Sequence, residues 1–165
     1  MAKLRPLMAS VTGPGAAEKD TVAYGDFLDA QKEVDQARKM GVQGYCMGGA
    51  LAVRSAATLP ERIGAGASFH GGGLVTDKPD SPHLLAPKIK ASMYFGIAAN
   101  DDEKQPEAKD KLKEAFGKVE VELYPHSLHG WCMRDMPERD GKPIYDENGA
   151  EHAWSKLLAL YKSNL

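Results

Sequence analysis

A chain of 165 residues, 42% hydrophobic and 27% charged, can bury one core of ordinary size and is too short for two. Its 21 basic against 23 acidic residues give a formal charge of -2, with no basic run and no aromatic-basic interleaving. That excludes a nucleic-acid surface and leaves a small neutral or anionic molecule as the expected partner. No stretch approaches the about 18 apolar residues of a membrane span, and the first nine residues are too interrupted for a signal h-region. With only two cysteines, 46 and 132, the chain suits free thiols in a reducing compartment, so a cytoplasmic protein without a membrane partner is expected.

Residues 1–20 read as a loop or leader, with 21–165 as the core of a single domain. Within 21–40, Tyr24, Phe27, Leu28, Val34, Ala37 and Met40 share one helical face, and Gly41 supplies the stop. A short apolar strand then ends in Gly44-Tyr45-Cys46-Met47-Gly48-Gly49, and an alanine-rich helix runs to Pro60. This is the pattern of a nucleophile elbow. A sharp strand-to-helix turn strains its central residue, and glycines at 44 and 48 remove side chains that would collide there. Cys46 sits at the turn, and the Met47 N–H at the helix start is placed to stabilise an oxyanion. Taken alone, the six residues equally describe a buried cysteine in a glycine-rich turn.

Gly64–Phe69 reads as a buried strand ending in His70-Gly71-Gly72-Gly73, and the prolines of 74–90 make that stretch irregular. Residues 91–96 form the next strand, followed by an acidic loop with Asp101 and Asp102 and a helix from about Pro106 to Phe116. Val119, Val121 and Leu123 alternate with glutamates, as in an edge strand that leads to His126, His129 and Trp131. Residues 133–149 make a long charged loop, and Trp154, Leu157, Leu158 and Tyr161 mark the packing stripe of a last helix. The fold class expected is α/β, a mostly parallel sheet flanked by helices, with Cys46, Asp101 and His129 on loops at the carboxyl ends of strands.

Nucleophile, acid, histidine is the chain order of the α/β-hydrolase triad. The run from Gly44 to Ala52, then Ser68-Phe69-His70-Gly71-Gly72-Gly73-Leu74, resembles the dienelactone hydrolase (carboxymethylenebutenolidase) family. Tyr94-Phe95-Gly96 before Asn100-Asp101, Leu123-Tyr124-Pro125 before Leu128-His129-Gly130-Trp131, and Tyr145-Asp146 before the helix around Trp154 are similar to the same family. The resemblance implies an α/β-hydrolase-like fold and hydrolysis of a lactone or small ester without a cofactor. It implies Cys46 as nucleophile, His129 as general base and acid, and Asp101 as the group orienting the imidazole. Tyr45, His70, Trp131 and Arg134 become candidates for the substrate pocket, Arg134 for a substrate carboxylate. Each also has a plainer reading as a packed ring or a solvated charge.

Asp102 competes with Asp101, and His126 with His129; the motif favours Asp101 and His129. His129-x-x-Cys132 with Cys46 offers three zinc ligands but no evident fourth, so no metal is expected. Family members also carry an earlier segment with the first strands and a second oxyanion donor. With some forty residues ahead of the elbow, this chain is expected to be N-terminally truncated, to leave a sheet edge open and to form a homo-oligomer. The rival expectation is a hydrolase-like domain that binds a small ligand without turnover.

Overall fold

Four segments rich in small, β-branched and aromatic residues pair as one parallel sheet: β1 Met40–Tyr45, β2 Ile63–Phe69, β3 Ser92–Ala98 and β4 Glu120–Tyr124, in that spatial order. The computed structural model describes residues 4–165. Period-two alternation sorts the strand side chains into two layers. Met93, Phe95 and Ile97 of β3 pack with Val53 and Ala56 of α3 (Met47–Thr58) and Leu112 of α5 (Ala108–Phe116). Tyr94 and Ala98 turn the other way, toward Ala153 and Leu157 of α6 (Glu147–Asn164) and the indole of Trp131.

Register aligns the strand ends. Tyr45 pairs with Phe69, Phe69 with Gly96, and Ala98 with Tyr124. The residues that follow each strand therefore meet along one rim, which brings Cys46, His70, Asp101 and His129 together from four separate stretches of sequence.

The chain departs from expectation in five places. Within 1–20, residues 1–3 lie outside the described residues, but α1 (Leu4–Thr12) and the start of α2 (Ala16–Asp29) are helical where a loop or leader was expected. Helix α2 ends at Asp29 instead of reaching Met40, and residues 30–39 turn. Arg62 holds those turns, donating to the carbonyls of Gln36 and Arg38 at 3.0 and 2.8 Å and pairing with Asp29 at 2.5 Å. The buried side of α2 is Thr21 and Gly25, set against α3, with Thr21 Oγ1 2.8 Å from Ser55 Oγ; Tyr24 and Phe27 face outward. Residues expected as an acidic loop instead form a short helix, α4 (Ala99–Lys104), whose first turn carries Asp101 and Asp102. In α6 the packing seam runs through Ala153 and Leu157, and Trp154, one position off it, is 52% exposed. A 3₁₀ segment, Pro82–Lys88, interrupts the otherwise irregular 74–90 stretch.

Candidate active site

The turn between β1 and α3 is an elbow. Cys46 holds φ 53° and ψ -122°, a conformation that costs a non-glycine residue and persists only where its surroundings fix it. A Cβ on Gly44 would lie 1.8 Å from the Gly48 carbonyl oxygen, so strand and helix touch through backbone alone. Gly48 itself faces open space, contrary to the expected collision there. The second tight position is Gly49, where a Cβ would meet Ser68 Oγ at 2.2 Å. The Cys46 carbonyl accepts from the Gly49 and Gly72 N–H groups at 3.1 and 3.2 Å, tying the elbow to the glycine loop after β2. The thiol is exposed, and the Met47 N–H beside it is a first-turn donor that an α-helix leaves without an intrahelical acceptor.

His129 reaches the thiol from the loop after β4. Its Nε2 lies 3.1 Å from Cys46 Sγ, and its Nδ1 lies 2.6 Å from Asp101 Oδ2. A carboxylate at Nδ1 accepts a hydrogen bond from the Nδ1–H, which keeps the proton on that nitrogen and leaves the Nε2 lone pair toward the sulfur, the tautomer a base requires. Two further bonds fix the imidazole: Asn100 Oδ1 accepts from the His129 N–H at 2.8 Å, and the Ala99 N–H donates to the Ser127 carbonyl at 2.9 Å. Ser127 in turn donates to Asp146, the N-cap of α6, at 2.5 Å. Lys104 stands 3.6 Å from the second Asp101 oxygen. The competing residues are engaged elsewhere: Asp102 with Lys109 at 2.6 Å, while His126 sits exposed in a cleft beside Glu122 and His152.

The pocket candidates divide into two groups. His70 and Trp131 are buried beneath the pair. The His70 ring lies 4.9 Å from the His129 ring and meets Trp131 edge-on at 5.1 Å; Trp131 also stacks on Tyr124. Burial, and then the neighbouring His129, push the His70 pKa down to about 4, so this ring is neutral at pH 7. Tyr45 and Arg134 instead line a cavity of about 170 Å³ with Cys132, Tyr145 and Trp154. There the Arg134 guanidinium sits 5.7 Å over the Tyr145 ring and donates to its hydroxyl at 3.3 Å, both of which favour the cation. A second cavity, about 400 Å³, opens beside Met47 and Gly72; Ala50 and Leu51 form apolar wall, and Arg54, paired with Glu18 and Asp80, lies on its polar side.

Burial raises the Cys132 thiol to about 12, with Asp146 adding to the effect. Among the described residues no group of three or more His, Cys, Asp or Glu side chains converges to hold a metal ion, and no helix is long and apolar enough to cross a membrane. Asn100 and Asp146 stand in the motifs that carry the resemblance, but the sequence assigns neither of them a role. Asp146 carries a readable signal, an aspartate just ahead of a helical stripe. Asn100 has none beyond standing next to Asp101.

Residues 5–165 match the description of the dienelactone hydrolase family. "Protein usf" of Aquifex pyrophilus is 29% identical over 133 residues, and the "Putative carboxymethylenebutenolidase" of Aquifex aeolicus is 28% identical over 133. Each alignment covers 78% of this chain and 52% of the relative, so the chain spans about half the length of the curated relatives it matches. Among solved structures, a Klebsiella pneumoniae protein titled "Putative Dienelactone Hydrolase" superposes with a TM-score of 0.70 at 20% identity, over 86% of this chain and 60% of its own. A Bacteroides ovatus "putative dipeptidyl aminopeptidase IV" gives 0.65 at 18%, over 90% of this chain and 22% of its own. Both likenesses are of fold: an α/β-hydrolase-like parallel sheet flanked by helices.

Proposed function

The chain belongs to the dienelactone hydrolase family, and on that footing we propose that it cleaves a lactone or small ester through a Cys46–His129–Asp101 triad. The observation that carries the reading is the relay of contacts, Sγ to Nε2 at 3.1 Å and Nδ1 to carboxylate at 2.6 Å. As the Cys46 sulfur attacks the carbonyl carbon, its proton passes to His129 Nε2 and the carbonyl electron pair becomes an oxyanion facing the Met47 N–H. Collapse expels the alkoxide or enolate, which takes the proton from His129 and leaves a thioester on Cys46. Water then loses a proton to the same nitrogen and attacks the thioester. Collapse of that adduct breaks the C–S bond, the sulfur takes the proton back from His129, and a carboxylic acid leaves the free thiol. Asp101 stays ionised and stabilises each imidazolium.

Arg134, on the cavity beside Tyr45, suits a substrate carboxylate, and the larger cavity next to Met47 takes the opposite end. His70 and Trp131 back the site from below. No cofactor enters the reaction. Two free thiols fit a reducing compartment, and the cytoplasm is the proposed location. Self-association is proposed as well: among the described residues β1 has a strand neighbour on one side only, and Tyr24, Phe27 and Trp154 leave apolar surface exposed on α2 and α6. A single domain is proposed for the chain, with residues 21–165 as its core.

A second reading, small-ligand binding without turnover, draws on the exposure of Cys46, since water over an open nucleophile competes for the oxyanion donors. The readings part on steady-state hydrolysis of small activated esters and lactones, with and without a carboxylate. Hydrolysis lost in both Cys46→Ala and His129→Ala supports the enzyme. Saturable binding with no turnover by the folded chain refutes it.

A further inference from the structure

Beneath the thiol–imidazole pair lies a second imidazole that ester cleavage leaves without a role. His70 follows the last residue of β2, is 2% exposed and, at φ 42°, shares the left-handed backbone of Cys46. Its Nδ1 accepts the Cys46 N–H at 3.1 Å; the same N–H faces the Phe69 carbonyl at 3.2 Å. Because Nδ1 accepts, the ring proton is on Nε2, which is buried and has no hydrogen-bond partner among the described residues. A buried donor left unpaired is costly and calls for a compensating role. The rings of Tyr45, His129 and Trp131 surround it, at 5.9, 4.9 and 5.1 Å.

Resting on the reading of Cys46 as nucleophile, we propose that His70 is a positioning residue: by accepting the Cys46 N–H and packing against His129, it holds the elbow where Sγ stays within reach of Nε2. Phe69 accepts the same N–H less closely, and its carbonyl belongs to the strand. Of these two acceptors His70 is the one that also packs against the imidazole, so it links the elbow to His129. An aromatic ring without the acceptor does not replace it. A short side chain with an acceptor at the same reach does, and asparagine also tolerates the left-handed backbone there.

The test uses the full chain with His70→Phe, His70→Asn and His70→Gln, each checked for native near-UV circular dichroism. Two rates are measured: alkylation of Cys46 by iodoacetamide, located by peptide mass mapping, and acylation by p-nitrophenyl acetate. The expected result is a slowing of both by about 10-fold or more in His70→Phe, with recovery of most of that loss in His70→Asn or His70→Gln. Wild-type rates in His70→Phe overturn the proposal, because ring packing alone then suffices. Equal slowing in all three variants also overturns it, because the role is then merely structural. A wild-type chain that alkylates but does not acylate refutes the ester-cleaving reading, while the alkylation series still decides the part played by His70.

Discussion

Replacing Gly44 with alanine puts a methyl group where β1 and α3 meet through backbone. The added Cβ would stand 1.8 Å from the Gly48 carbonyl oxygen, 2.1 Å from its carbon and 2.7 Å from the Gly49 nitrogen. Real Cβ contacts do not fall below 3.0 Å, so the first turn of α3 must retreat from the strand by at least 1.2 Å. None of the three atoms is the end of a flexible side chain, and the retreat therefore moves the elbow itself. Overpacking of this kind costs about 1–3 kcal/mol, which for a chain of this size lowers Tm by roughly 2–12 °C. Cys46 rides on the joint, and its 3.1 Å contact to His129 does not survive a shift of that size. Hydrolysis should fall about 100-fold. The control lies four residues on. A Cβ on Gly48 meets nothing within 4 Å, so Gly48→Ala should keep the wild-type Tm or raise it slightly and keep the wild-type rate. Thermal melts and ester hydrolysis on the two variants decide the matter. If Gly44→Ala melts and reacts as the wild type does, the elbow is not the tight backbone joint described above.

Other consequences follow from the same geometry. With the Cys132 thiol raised to about 12 by burial, a neutral-pH titration with an aromatic disulfide should find one fast thiol per chain, and Cys46→Ala should leave only a slow one. The folded-state pKa of His70, about 4, lies below its ordinary 6.5, so as pH falls the unfolded chain takes up the proton first. Stability should hold above about pH 6.5 and decline toward about pH 4, by as much as about 3 kcal/mol from this group. Urea unfolding across that window should show a shallower decline in His70→Asn, and an unchanged slope would contradict the assignment. Asp101→Asn replaces the carboxylate with an amide whose NH2 can donate to Nδ1 and hold His129 in the wrong tautomer, and should lower kcat by about 10²–10⁴. Asp102→Asn loses only its pairing with Lys109 and should leave kcat near wild type; the opposite ranking would exchange the two acids.

Much of the site was legible because its chemistry and its local backbone coincide. The glycines around Cys46 mark the elbow, the strand before Asp101 ends in an acidic cluster, and a period-two strand leads directly to His129. Their meeting required only that parallel strands present their carboxyl ends to one rim. What sequence could not give were facts of packing between distant stretches. The bond from the Cys46 N–H to His70 spans 24 positions and exists because Tyr45 lies in register with Phe69. Gly48 looked crowded because it is part of the motif, but the crowding falls on Gly44 and Gly49. Tyr24, Phe27 and Trp154 are as apolar as any core residue, and periodicity cannot tell a stripe facing the sheet from one left outside. In α2 the small residues Thr21 and Gly25 set the approach to α3, a contact that hydrophobicity does not mark.

The central claim is that the Cys46 sulfur carries the acyl group. Its most direct test is a single-turnover reaction with a small activated ester, quenched in acid and followed by intact and peptide mass analysis. The expected result is one acyl adduct per chain, on the peptide containing Cys46, formed quickly in the wild type, slowly in His129→Ala and not at all in Cys46→Ala. An adduct on any other residue, or hydrolysis that persists in Cys46→Ala, would contradict it.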